Sequence, residues 1–463
     1  MDPATIPDPI VAVGRALAEA LWAQASEHRR ATLAEHERAV LAIFRRLMGR
    51  ALGATLAEAL GTDRAAARRL REACPGCGAR RRPHARRARE LLTVCGAARL
   101  ERPYYHCGPC GRGWAPADAA LGLEPYAAAS PGCAAWLALV GARAPFRQAA
   151  ELLEELAGIG VGAETVRAHA GAAGARLERS RREAAEHVEA EREPPGPVAA
   201  AEGTLVVMAD GVQLRYRDDW HEVKVGLVAG CAPGWPAPGT RPGQEHALLG
   251  PSYLASRAPA AAFGPLLLAE AARRGALAVV GWEHAPGSAP GDRLPALAVL
   301  REAVVLGDGA PWIWHLAEEH FGRRTEIVDW YHAAEHLWAA ARALHGAGTP
   351  EAAAWAKAAT DLLWDEGPGP VRRLLEAADP PDAEAGEALR LERGSFAANA
   401  ARMDYPAFRA RGLPVGSGAV ESAAKHLVQA PMKRAGMRWS EPGAQAILAL
   451  CAELAADPTL RAA

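Results

Sequence analysis

Three acidic residues stand in short, glycine-marked settings spread over the second half of the sequence: Asp210 in VVMADGVQL, Asp308 in VVLGDGAPWIW and Glu421 in VGSGAVES. Carboxylates contributed by three separate elements suit two-metal phosphoryl transfer. There, two hard divalent cations about 4 Å apart clamp the attacking and leaving oxygens of an in-line displacement. Taken singly, each residue is a weak signal. Asp-Gly after an apolar run also fits a hairpin turn, and Glu421 alone fits an exposed helix position.

A second constellation is sharper. Cys74-Pro-Gly-Cys77 and Cys107-Gly-Pro-Cys110 are two CxxC knuckles that one intervening hairpin can bring together. Four thiolates then complete a tetrahedral zinc site. Such a site is closed to substrate, so its zinc is structural and contributes on the order of 10 kcal/mol to folding. A redox pair or disulfides are the alternatives. Cys95, Cys133, Cys231 and Cys451 are isolated and read as small buried hydrophobes.

Two further matches compete with these. His332-Ala-Ala-Glu335-His336 fits HxxEH, the inverted zinc-protease motif, in which two histidines one helical turn apart bind a catalytic zinc and the glutamate acts as base. Gly416-Ser-Gly418 ahead of a helix resembles a phosphate cradle, but it lacks the third glycine and the preceding βαβ context.

The elements that must carry these residues follow from pattern and length. At 463 residues, half hydrophobic and 23% charged, the chain has an ordinary globular composition and room for two to four domains. With a net charge of −1, any affinity for polyanions must come from local patches. One lies between residues 80 and 102, where Arg80, Arg81, Arg82, Arg86, Arg87, Arg89, Arg99 and Arg102 face only Glu90 and Glu101. A solvated basic face would look the same. The apolar stretch at 132–142 falls short of the ~20 residues needed to span a bilayer. No basic leader precedes the first apolar run, so the expected location is the cytoplasm, with no membrane partner.

Residues 1–70 read as amphipathic helices suited to packing or self-association, with apolar spacing of three and four along 33–60. Residues 71–122 read as a cysteine module around a hairpin turning near Gly96. Residues 123–197 read as helical, with FRQAAELLEELAGIGVGAETVRAHAGAAG resembling a helix-turn-helix, then a long charged helix ending at Pro194-Pro195-Gly196-Pro197. Beyond that linker, TLVVMADGVQLRY, EVKVGLVAG, EAVVLGDG and TEIVDWYH read as strands of a mixed α/β sheet. The expected partition is 198–335 for the first part of this core, 336–414 for a helical insertion, and 415–463 for its closing helices, interrupted near Pro431 and Pro442.

Read together, these blocks resemble the DDE transposases of bacterial insertion sequences, specifically the ISKra-type group, and are distantly similar to Mutator-like elements. The likeness spans nearly the whole chain. It rests on CPGC and CGPC flanking LLTVCGAARLERPYY, on GWAPADAALGL, on ADG then WHEVKVG, on VVLGDGAPWIW, on IVDWYHAAEHL, and on VGSGAVESAAKH with MKRAGMRWS. Cys95 departs from the aromatic or large aliphatic residue that relatives commonly carry in the hairpin.

The resemblance implies an RNase H-like α/β core with an all-helical insertion, preceded by a helical N-terminus, a zinc ribbon and a helix-turn-helix-like region. It assigns Asp210, Asp308 and Glu421 to catalysis with two Mg²⁺ or Mn²⁺ ions. Asp329 and His332 of DWYH become supporting residues rather than zinc ligands, while Cys74, Cys77, Cys107 and Cys110 hold one structural Zn²⁺. The implied partners are the terminal inverted repeats of a mobile element and target DNA, with a homodimer joining two ends. Arg80, Arg81, Arg82, Arg86, Arg87, Arg89, Lys425, Lys433, Arg434 and Arg438 are the expected phosphate contacts. A DNA-binding protein that keeps the zinc ribbon without catalysis is the alternative expectation.

Overall fold

The computed structural model describes residues 7–27, 31–60, 71–190, 203–232, 248–275, 277–284, 293–299 and 301–456. The expected linker at 194–197 and the tail beyond residue 456 lie outside the described residues. Two compact units emerge, Met1–Ala170 and Gly171–Ala462.

In the first unit, helices α1 (Asp8–Glu27) and α2 (Leu33–Ala59) pair. Thr32 starts α2 with a capping box, its hydroxyl accepting from the Glu35 amide while the Glu35 carboxylate reaches back to the Thr32 amide. The cysteine module follows. A short ribbon of β1 (Glu72–Ala73) and β2 (Arg80–Arg81) precedes a three-stranded antiparallel sheet of β3 (Pro83–Thr93), β4 (Gly96–His106) and β5 (Gly113–Trp114). The hairpin turns where the sequence places it. Thr93 pairs with Gly96, whose φ of +92° suits a residue without a Cβ.

Helix α2 lies so close on β4 that a Cβ at Gly49 would overlap the Ala97 carbonyl. Helices α3 (Pro116–Ala120), α4 (Pro131–Gly141) and α5 (Phe146–Ala157) lead into α6 (Ala163–Glu189). Gly158, at φ +68°, ends α5, and Leu137, Leu153, Ile159 and Val166 close a core around the turn. The helix, glycine turn and second helix expected here are therefore present.

The second unit is built on a five-stranded sheet in the order β12-β11-β6-β7-β8. Its members are β6 (Thr204–Arg215), β7 (Trp220–Cys231), β8 (Leu248–Ser256), β11 (Ala303–Gly307) and β12 (Arg324–Val328), with a separate ribbon of β9 (Leu277–His284) and β10 (Arg293–Val299) between them in sequence. Strands β6, β7 and β8 are antiparallel neighbours, whereas β11 runs parallel to both β6 and β12. All of β11 is buried, which is why EAVVLGDG reads as a continuous apolar run. Helix α7 (Ala260–Arg273) covers the sheet with α8 (Pro311–His320) packed beside it.

After β12 the strands stop, as the sequence indicates. Helices α9 (Trp330–His345), α10 (Pro350–Glu366), α11 (Pro368–Ala377), α12 (Ala383–Asn399) and α13 (Tyr405–Ala410) pack on one another. The chain then returns through α14 (Gly418–Ala424), a π-helical turn at Lys425–Gln429 and the short α15 (Ala430–Met432) to α16 (Glu441–Ala456).

The division between units falls inside α6 rather than at the proline-rich linker, because its C-terminal part packs within the second unit. Arg181 pairs with Glu453 at 2.9 Å, Gln445 donates to Glu178, and a Cβ at Gly174 would overlap the Ala446 carbonyl. Gly174→Ala should therefore lower unfolding stability by about 1–3 kcal/mol, the usual penalty for overpacking. Chemical denaturation of the purified variant measures it, and an unchanged midpoint would refute this close approach.

Candidate functional site

Asp210 lies two residues beyond Met208, the last residue of β6 paired with β11, and Asp308 directly follows β11. From β6 the chain proceeds outward through β7 and β8, then returns to place β11 on the opposite side. The two aspartates thus flank the point where strand order reverses, at the carboxyl end of the parallel strands, where open α/β sheets form their crevice. Each has a local hydrogen bond: Asp210 Oδ1 accepts from the Gly211 amide at 2.7 Å, and Asp308 Oδ1 accepts from the Ala310 amide at 2.9 Å.

Helix α14, which carries Glu421, packs on both β6 and β7. Its carboxylate comes close enough for Asp210 to sense it. Burial raises the Asp210 carboxyl above its ordinary range, and the negative charges of Asp308 and Glu421 raise it further, against opposing effects from the Gly211 amide and His332. The fold thus places Asp210 where the charges of Asp308 and Glu421 both act on it. Such a donor set suits hard divalent cations, which relieve the repulsion.

Asp329 is the support on which this geometry rests. It is only 1% exposed, at the junction of β12 and α9. Its Oδ1 accepts from the backbone amides of Ser417 and Tyr331, both at 3.2 Å, while Oδ2 accepts from the Ser417 hydroxyl at 3.0 Å. Ser417 is the N-cap of α14, so a buried carboxylate fixes the start of the helix that delivers Glu421. Backbone bonds reinforce the junction: Asp329 N donates to Gly307 O, and Trp330 N donates to Val415 O. Tyr405 of the helical insertion donates its hydroxyl to Val328 O at 3.0 Å. Burial pushes the Asp329 carboxyl up to about 6 despite these donors.

His332 lies half-buried in the first turn of α9, its Nδ1 3.8 Å from the Glu335 carboxylate. Its ring meets that of His336 edge-on at 5.0 Å. The Nδ1 of His336 lies 2.6 Å from the Glu392 carboxylate, and its Nε2 lies 3.5 Å from the Ser395 hydroxyl. Glu392 and Tyr405 were not singled out by the sequence, and Ser417 entered only within the weak phosphate-cradle match at Gly416-Ser-Gly418. Ser417 alone carried a local signal, as a serine immediately before a helix.

In the first unit the four cysteines converge. Their sulfurs lie within 4.8 Å of one another, with Cys74–Cys110 and Cys77–Cys107 both at 3.5 Å. Four thiolates around one zinc at ~2.3 Å would stand ~3.8 Å apart, so the cluster fits a structural metal ion such as zinc. Two equivalent knuckles build it. The Gly78 amide bonds back to Cys74 O and the Gly111 amide to Cys107 O, with both glycines at positive φ. The Cys110 amide holds the Cys107 thiol down to about 6. Although the Arg112 amide favours its thiolate, Cys110 is pushed up to about 12 by the neighbouring cysteine sulfurs. A central cation removes that conflict. Among the described residues this is the one group of three or more potential ligands that converges so tightly.

The arginine patch is smaller than the sequence implied. Arg80, Arg82, Arg86 and Arg87 are exposed, with Arg87 stacked 3.7 Å over Tyr104. Arg81 is drawn inward against Cys107. Arg89 departs from expectation: its guanidinium binds Asp118 at 3.0 Å and the carbonyls of Glu124 and Ala127, so its donors serve the interior. Arg102 completes this buried cluster with two bonds to Asp118. Burial opposes the Asp118 charge, but Arg102 and Arg89 hold its carboxyl below the ordinary range. Lys425, Lys433, Arg434 and Arg438 are exposed in the second unit.

No protein-family model matches the sequence, and no curated protein matches it significantly. No described helix is long and apolar enough to cross a membrane.

Removing the metal should unfold the cysteine module. Chelation or Cys107→Ser is expected to release about one zinc per chain and to abolish protection of amides in 71–122 from hydrogen exchange. A zinc-free protein with protected amides would refute it.

The raised pKa of Asp329 also sets a pH dependence. The unfolded chain gives up this proton near pH 4 and the folded chain near pH 6, so stability from this group falls as pH rises through that window and then levels off. Asp329→Asn should gain up to about 3 kcal/mol relative to the native chain between pH 4 and 7. Urea unfolding at both pH values measures the difference, and parallel pH profiles would count against it.

Proposed function

We propose that the chain is a DDE-type DNA transposase that binds the ends of its mobile element and catalyses metal-dependent strand cleavage and strand transfer. The observation that carries the proposal is the mutual placement of Asp210, Asp308 and Glu421. They come from the first sheet strand, the strand added beside it in parallel and a helix reached only after a helical insertion, yet the charges of Asp308 and Glu421 both act on Asp210. An RNase H-like core, as the sequence resemblance implies, would have this strand order and polarity.

In this reading the three carboxylates hold two Mg²⁺ or Mn²⁺ ions, which supply charge neutralisation at the scissile phosphate and lower the pKa of an attacking water. The chain's own residues supply alignment. Asp210 and Asp308 are fixed by the sheet, and Glu421 by the Asp329–Ser417 bond. His332 offers a polar, half-buried group beside Asp210. The exposed Lys425, Lys433, Arg434 and Arg438 would meet DNA phosphates near the carboxylates, and Arg80, Arg82, Arg86 and Arg87 would do so on the zinc module. Helices α5 and α6 provide a second DNA-reading candidate in the first unit. Synapsis of two element ends would use a homodimer, and the expected location is the bacterial cytoplasm, with the protein on the nucleoid.

The zinc-protease reading loses support because, among the described residues, no group of three potential ligands that includes His332 and His336 converges on one point. A DNA-binding protein without catalysis keeps every feature except activity, so a cleavage assay separates the two. Asp210→Ala, Asp308→Ala and Glu421→Ala are each expected to lower Mg²⁺-dependent cleavage of element-end DNA by at least about 10³-fold, with DNA binding retained. If one variant cleaves at a near-normal rate, this assignment of roles is wrong. A native chain that binds ends without cutting them would favour the non-catalytic alternative.

A further inference from the structure

At the turn between β6 and β7 the chain is joined to residues 433–440. Tyr216 and Trp439 form a parallel bridge, Arg217 N donates to Trp439 O at 3.0 Å, and Trp439 N donates to Arg215 O at 3.3 Å. The indole of Trp439 donates to Met432 O at 2.9 Å, which fixes the second segment. On this joined surface Trp220 is 49% exposed, with the Lys433 ammonium 5.3 Å from its ring centroid. A tryptophan carries a large apolar area, and the fold buries Trp314 to 6% exposure elsewhere in the same unit. Lys433 covers one face of Trp220, so much of the ring remains open.

The surroundings are cationic. Arg217 and Arg438, like Lys433, are exposed on the two joined segments. The nearest acids in the turn are already paired, Asp218 with His221 at 2.8 Å and Asp219 with Arg215 at 2.7 Å. Among the described residues, no carboxylate forms an ion pair with Arg217, Lys433 or Arg438. An open aromatic face among unpaired cations is what a nucleic-acid strand with an unstacked base would fit, since every base presents a π-face beside a phosphate.

We propose that Trp220 is a stacking platform for an unpaired nucleobase of DNA, with Lys433, Arg217 and Arg438 holding the phosphates on either side. This rests on the reading that DNA is the substrate of the carboxylate site. Trp220 pairs with Arg215, five residues along β6 from Asp210, so the platform lies ~17 Å from the carboxylates along the ribbon. That span corresponds to about five nucleotides of a duplex strand and fewer of an extended one. The base held there would belong to a frayed or single-stranded segment next to the cleaved phosphate.

Fluorescence anisotropy tests the platform without requiring catalysis. The full chain is titrated with labelled oligodeoxythymidylate, with an abasic strand of equal length and with a blunt duplex. Trp220→Ala is expected to weaken binding of the base-bearing strand by roughly tenfold and to leave the abasic strand within about twofold. Trp220→Phe should recover most of the loss. Lys433→Ala should weaken both strands and lower the salt slope by about one.

Equal loss on base-bearing and abasic strands, equal loss on the blunt duplex, or no DNA binding by the native chain would each overturn the proposal. An unaffected Trp220→Ala would mean that Trp220 and Lys433 satisfy only each other, and would overturn it too. Cleavage by the native chain with unaltered binding by Trp220→Ala removes the platform but keeps the transposase reading. Base-dependent binding without Mg²⁺-dependent cleavage does the reverse.

Discussion

The geometry of the second unit depends on one buried carboxylate. Asp329 is removed from water and accepts from both the backbone and the hydroxyl of Ser417. Through those bonds the end of β12, the start of α9 and the N-cap of α14 become one junction, although Ser417 is far from Asp329 in sequence. A buried charge without partners would be costly, and a partner that moved would leave it so. The requirement to satisfy Asp329 therefore also positions Glu421. The insertion joins the same junction through Tyr405, whose hydroxyl donates to Val328 and whose ring packs against Trp330.

Holding three carboxylates together is energetically unfavourable by itself. Burial and mutual repulsion both raise the Asp210 carboxyl, and the rigidity that opposes them comes from the sheet and the Asp329 junction. The same logic recurs in the first unit, where backbone amides favour some thiolates while sulfur crowding disfavours others. In both places like charge is crowded, and at the cysteines a central metal ion would relieve it. The cysteine cluster is tight enough for one metal ion.

Much of the architecture was legible because its signals were local. The turn at Gly96, the strands containing Asp210 and leading to Asp308, the helical stretch after DWYH and the two CxxC knuckles all follow from spacing, β-branching and turn chemistry. Other features were hidden for physical reasons. Strand β8 contains Gly250 and Pro251, which break a strand pattern in sequence; Pro is tolerated there because β8 is an edge strand. Arg89 looked like part of a solvated basic face, yet Asp118 draws it inward from far along the chain. The HxxEH match could not reveal that Glu392, far along the chain, meets His336.

By itself the sequence determined which groups this chain has available: three carboxylates in glycine-marked settings, four cysteines in paired knuckles, and lysines and arginines shortly after Glu421. Backbone propensity and short-range spacing fix such features, so one dimension suffices to read them. Only the tertiary structure decided which groups meet. It placed Asp210 where the charges of Asp308 and Glu421 act on it, tied Asp329 to Ser417, withdrew Arg89 from the surface and left Trp220 open beside Lys433. Those outcomes depend on burial, strand order and charge pairing between distant segments, and no local pattern encodes them.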